Sequence, residues 1–126
     1  MKKILISIVL VFASFVSIQC SKDPKNRAPS AVNLIYPSQN LLCIENTITF
    51  NWSEAIDPEN DALEYNIIIA TDRAMTNIIE NETTTSSELT FILEKQTAYY
   101  WKVDALDVKN NQGTESEIFA YIPKEK

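Results

Sequence analysis

A chain of 126 residues with 45% hydrophobic content holds one globular domain and not two. Its 17 acidic side chains against 11 basic ones give a formal net charge of −6, which excludes the basic surface that nucleic-acid binding needs. There is no histidine, so the commonest general base and the commonest metal ligand are both missing, and two cysteines are too few for a disulfide framework.

Lys2 and Lys3 open the chain, and a weakly polar to apolar run follows from Ile4 to Ile18. As a helix this run is about 22 Å long at about 1.5 Å per residue, short of a bilayer core of roughly 30 Å. The pattern predicts a signal peptide over residues 1–19 rather than a permanent span. The run ends in Ser17-Ile18-Gln19-Cys20, followed by Ser21-Lys22-Asp23. This resembles a bacterial lipobox, although Ser17 and Gln19 stand where that motif usually has Leu and a small residue. The resemblance implies cleavage before Cys20 and acyl chains on its thiol, so the protein is held on a membrane without crossing it. It also implies an outer-membrane lipoprotein, with Ser21-Lys22-Asp23 a thin version of a surface-export signal. Two other readings stay open: a secreted protein cut near Cys20, and an uncleaved N-terminal anchor. Removing residues 1–19 takes away Lys2 and Lys3 and no acid. The mature chain is therefore more acidic still, and an anionic membrane repels it.

Residues 20–28 read as the lipidated Cys and a polar tether, which keeps the domain within roughly 30 Å of the membrane. The domain itself is expected over residues 29–123, with a tail at 124–126. From Pro29 onward the hydrophobic period is two. The expected strands are Val32–Tyr36, Thr47–Trp52, Leu63–Thr71, Asn77–Thr84, Leu89–Leu93, Tyr99–Ala105 and Phe119–Tyr121. Polar turns lie at Asp57–Asp61 and Lys109–Gly113. Seven short strands with such turns predict an all-β, two-sheet sandwich.

Three motifs carry a closer likeness. Thr49-Phe50-Asn51-Trp52-Ser53 resembles strand B of fibronectin type III domains, with its core Trp. Asp57-Pro58-Glu59-Asn60-Asp61-Ala62-Leu63-Glu64-Tyr65 resembles the turn into strand C of bacterial members. Leu93 followed by Thr97-Ala98-Tyr99-Tyr100-Trp101-Lys102-Val103-Asp104-Ala105 resembles the run through strand F. The resemblance implies a seven-stranded fibronectin type III (immunoglobulin-like) sandwich. Trp52, Tyr65, Leu93, Tyr99 and Trp101 would lie in its core, with Tyr99 as the tyrosine-corner residue. Lys95-Gln96 replaces the family's Pro-Gly, and Asn60 replaces its turn Gly.

This fold hosts many functions, so function has to come from the residues. Outward positions on the neighbouring strands 63–71 and 99–105 place Tyr100, Lys102, Asn66 and Ile68 on one face, a candidate contact patch for an envelope protein, with ordinary cross-strand pairing on a solvated face as the plainer reading. Asp57, Glu59 and Asp61 alternate as calcium ligands do, but an EF-hand starting at Asp57 lacks Gly at its sixth position and Glu at its twelfth. A solvated turn is the plainer reading. Both Trp residues point inward, which leaves Tyr100 without the aromatic row that a glycan platform needs. Cys43, in Leu41-Leu42-Cys43-Ile44, is expected as a buried thiol, with a Cys20–Cys43 disulfide as the rival. Without His there is no Ser-His-Asp or Cys-His set. The expectation is a non-enzymatic, lipid-anchored interaction module with no cofactor. A carbohydrate-binding accessory of polysaccharide uptake and a structural envelope protein are the alternatives.

Overall fold

A computed structural model of the chain describes residues 25–109 and 113–124. The expected signal peptide, Cys20 and the first tether residues lie outside them. So do the middle of the Lys109–Gly113 turn and the end of the tail. Nine strands follow in order among the described residues: β1 (Leu34–Tyr36), β2 (Leu41–Cys43), β3 (Thr47–Trp52), β4 (Leu63–Ala70), β5 (Ile78–Thr84), β6 (Glu88–Ile92), β7 (Tyr99–Asp107), β8 (Gly113–Glu115) and β9 (Phe119–Pro123). One sheet is ordered β1-β3-β6. The other is ordered β2-β9-β7-β4-β5, with β8 also on β7.

The period of two sets what faces inward. On β3, Ile48, Phe50 and Trp52 are buried, whereas the outward Thr49 shares a 2.7 Å hydroxyl contact with Thr90 of β6. In the larger sheet Tyr65 of β4 lies opposite Ala105 of β7, and Trp101 lies opposite Ile69. Large side chains thus meet smaller ones across the pair, which fills the layer without overpacking. Phe50 joins the sheets. Its ring meets Trp101 edge-on at 4.9 Å and Tyr121 at 6.3 Å, the geometry that aromatic quadrupoles favour.

Two strands exceed the expected seven. β2 is only three residues long and lies parallel to β9, too short to show a period. β8 pairs Glu115 with Asp104, whereas β9 pairs Phe119 with Trp101, so the last strand gains one residue against β7. This is a β-bulge. Ser116 fills the gap: its Oγ accepts from the Val103 N–H at 2.9 Å and its own N–H donates to the Val103 carbonyl at 3.0 Å. On the opposite edge, β5 sets Glu82 against Ile67 and Glu80 against Ile69, whose side chains point into the sandwich.

The turns are closed by side chains. Asp72 accepts from the N–H groups of Thr76 and Asn77 and from the Thr76 hydroxyl. These bonds lower its carboxyl below the usual range. Asn40, Asn60, Met75 and Gln96 have positive φ. Asn60 and Gln96 are the two positions where the fibronectin type III pattern has glycine, so the backbone keeps a conformation that the side chains strain against. Left-handed φ costs an L-residue about 1–2 kcal/mol, partly offset by glycine's extra chain entropy of about 0.5–1 kcal/mol. Gln96→Gly is expected to raise Tm by roughly 2–6 °C in a thermal melt; a lower Tm contradicts this account.

Tyr121 is fully buried, and its hydroxyl donates to the Glu45 carbonyl at 3.0 Å. Burial first, then the nearby Cys43 and Tyr36, pushes its phenol up to about 12. The folded value lies above the unfolded one. The associated stability is therefore present below the unfolded value of about 10 and lost as pH rises through the folded one. Ultraviolet difference titration is expected to show a tyrosine ionising at about 12, absent from Tyr121→Phe.

Candidate binding surface

The outward face of β4 and β7 holds the four residues expected to make a contact patch. Ile68 lies opposite Lys102, and Asn66 opposite Asp104. Ile68 is only 9% exposed, so it offers little apolar area. The Lys102 side chain is 12% exposed and its ammonium sits 2.7 Å from Glu115 Oε1 and 3.2 Å from Asp104 Oδ1. Burial alone lowers the ammonium, but its bonds to Glu115 and Asp104 outweigh that and leave it raised. Burial raises the Asp104 carboxyl, with Lys102 opposing. Thr83 donates to Asn66 Oδ1 at 3.4 Å, and Tyr100 is half-buried. The patch is thus an internally paired polar surface with one tyrosine at its end.

The turn Asp57–Asp61 is built on Asp57. Its Oδ1 accepts from the N–H groups of Glu59 at 2.9 Å and Asp61 at 3.0 Å. Glu59 instead pairs with Arg27 at 2.8 Å, and Asp61 faces Lys109 at 3.7 Å. Among the described residues no three His, Cys, Asp or Glu side chains converge closely enough to hold a metal by themselves.

The described residues before the first strand, expected as part of a polar tether, do not form a free linker. Arg27 donates to Glu59 through its N–H and its guanidinium, and the Asn26 amide donates to the Asp107 carboxylate. Ser30 and Ile56 exchange bonds of 2.9 Å, and Thr114 donates to the Pro29 carbonyl at 2.7 Å. Residues 26–30 are therefore stitched to the pole where β4 begins and β7 ends. No apolar pattern marks Asn26 or Arg27, so sequence reading had no handle on them. Asp107 is different. It is fully buried, and extending the inward alternation of Tyr99, Trp101, Val103 and Ala105 by one step reaches it.

At the opposite pole, Ile79 and Ile92 are 40% and 73% exposed. They line a groove of about 340 Å³ with Glu80, Glu94, Thr71 and Thr97 on its walls. Ile92 occupies an outward position of β6, an apolar residue where the alternation calls for a polar one, and that signal was visible in the sequence. A larger hollow of about 540 Å³ at the same pole has Ile44 as its one apolar residue beside Glu45, Asn46, Thr47 and Lys95. Among the described residues Cys43 has no disulfide partner, and it lies half-buried against the core beside β9. The five expected core residues lie between 0% and 4% exposed, and the Tyr99 hydroxyl donates to the Glu94 carbonyl at 3.1 Å.

No family model matches the chain, and no curated protein matches it. Solved structures do. The fibronectin(III)-like modules of Clostridium thermocellum CbhA share 15% identity at a TM-score of 0.57, over 78% of this chain and 47% of theirs. This chain therefore spans about half of that one. The solution structure of the fibronectin type-III domain of human fibronectin type III domain containing protein 3 also shares 15% identity. Its TM-score is 0.55, over 85% of this chain and 94% of that domain. Identity this low speaks for fold alone. The two-sheet order, with β7 central in the larger sheet, and the likeness to these two structures make the domain a fibronectin type III-like β-sandwich.

Proposed function

We propose that the chain is a bacterial outer-membrane lipoprotein, held by acyl chains on Cys20, whose sandwich binds an envelope protein through the pole away from the tether. The fold commonly serves protein or carbohydrate recognition, and the observation that carries the choice is the groove flanked by exposed Ile79 and Ile92. Its two exposed isoleucines sit beside Glu80 and Glu94, which suits an apolar partner residue flanked by Lys or Arg. The stitched segment supports the orientation. Only residues 21–24 separate Cys20 from Lys25, a reach of about 18 Å at about 3.5 Å per step. The tethered pole is thus held near the lipid and the groove faces away, since β7 spans roughly 30 Å between the poles. A glycan platform is disfavoured because Trp52 and Trp101 are buried and Tyr36 and Tyr100 lie on separate strands.

The mass of the protein recovered from bacterial membranes tests the anchor. A mature N-terminus at Cys20 carrying acyl mass is expected, with Cys20→Ser moving to the soluble fraction; an unmodified Cys20 ends the lipoprotein reading. For the surface, Ile79→Asp with Ile92→Asp is expected to leave stability within about 1 kcal/mol, both sites being exposed. The same pair should cut cross-linking to the envelope partner at least about tenfold, the loss that about 1.4 kcal/mol brings. Unchanged cross-linking, with loss on Tyr100→Ala instead, moves the contact to the outer face of β4 and β7.

A further inference from the structure

Taking the groove between β5 and β6 as the contact proposed above, we infer that the free edge of β6 is completed by an extended, basic strand of the partner, laid antiparallel beside it. The Leu93 N–H donates to the Asn46 carbonyl at 2.8 Å, and the Trp52 N–H donates to the Ser87 carbonyl at 3.0 Å. Between these two bonds the register of β3 and β6 runs without a shift. Ser87, Leu89, Phe91 and Leu93 therefore turn their backbone groups toward β3, and Glu88, Thr90 and Ile92 turn theirs away. The Glu88 N–H is taken by the Ser86 hydroxyl at 3.3 Å. Among the described residues the N–H and C=O groups of Thr90 and Ile92 meet no other strand, since β6 ends its sheet.

The other edges are guarded and this one is not. β1, β2 and β8 are three residues each, and β1 shifts register against β3 just before Pro37. β5 carries Glu80 and Glu82 on its inner face. Short length, irregular register and inward charge each deter strand addition. β6 has five regular residues with no proline and no lysine, and its one acid, Glu88, stands at its end. Ile92 is 73% exposed on its outer side, and on its inner side Leu89 and Phe91 pack on the core while staying partly open.

The surroundings define the occupant. The groove spans the two sheets, with Ile79 and Glu80 on one wall and Ile92 and Glu94 on the other. Side chains of an added strand alternate as those of β6 do. Residues opposite Thr90 and Ile92 lie on the outer face, where Ile92 favours an apolar neighbour. Residues opposite Leu89 and Phe91 point inward across the opening, to the side where β5 sets Glu80 and Glu82. Lys or Arg fits there, because its stem covers Phe91 and its charge meets the acids. Lys95 lines the hollow beside Ile44 and Glu45 instead. A second copy of β6 would bring Leu and Phe to those inward positions and no cation, so a foreign strand is the better match.

The full chain in detergent and the capped peptide Lys-Ile-Lys-Thr-Lys-Thr test this, against a twin peptide methylated on the backbone nitrogens of Ile and Thr. The twin keeps every charge and side chain but cannot pair. The first peptide is expected to bind at least about tenfold more tightly than the twin. It should also slow amide hydrogen exchange of Thr90 and Ile92 at least about tenfold and leave β5 unchanged. Equal binding of the two, no binding at millimolar peptide, or no slowing at Thr90 and Ile92 overturns the strand, and this arm needs no variant. Thr90→Pro removes an N–H that the fold does not use, at an edge position that tolerates proline. In the cross-linking assay it should lose as much as Ile79→Asp with Ile92→Asp. Loss with the isoleucine pair alone keeps the surface and overturns the strand. No loss in either rejects the groove as the contact, and the partner strand with it, whatever the peptide does.

Discussion

Every second side chain of β7, from Tyr99 through Trp101, Val103 and Ala105 to Asp107, points between the sheets and is at most 3% exposed. The rest of the sandwich is arranged around that row. β4 lines up against it on one side, with β8 and β9 on the other, and β2 and β5 reach the sheet only through those neighbours. A slip of one residue in β7 would expose Trp101 and bury Lys102 with its two carboxylate partners. The cost of that exchange is what holds the register. The bulge at Ser116 extends the pairing past the point where the last strand would lose step, because a serine side chain supplies the missing acceptor.

The row also links the two ends of the molecule. At its start Tyr99 ties the loop after β6 to the groove, and at its finish Asp107 receives Asn26. The inward row is apolar for four residues and ends in a carboxylate, an abrupt change of chemistry within one strand. Asp107 is the only acid in the described core that continues a hydrophobic alternation. Its surroundings of turn, tether and backbone N–H groups are what make that position tolerable.

What could be read from the chain follows from the range of the signal. Ile48, Phe50, Trp52, Tyr65 and Trp101 declare their side of the sheet through a local period, so the core was legible. β2 and β8 are three residues each and owe their pairing to distant strands. The stitching of Asn26 and Arg27 is a contact between polar residues far apart in sequence, which no local pattern encodes. The positive φ at Asn60 and Gln96 lies between these cases. The turn type was implied by the surrounding motif, whereas the strain follows from the residues that depart from it. The outward positions of β4 and β7 follow from the period of two, but the character of that face depended on Lys102 finding Glu115 across a bulge.

β5 is the outer edge of its sheet, and its unpaired backbone groups make it a ready template for another strand. Glu80 and Glu82 occupy the positions whose neighbours on β4 are the buried Ile69 and Ile67. Any strand added beside β5 would extend the inner face over these two acids and press their charges into the growing core. Inward-pointing charge is one of the devices by which natural sheets stop growing. The same two glutamates thus keep the domain from zipping into ribbons of its own kind.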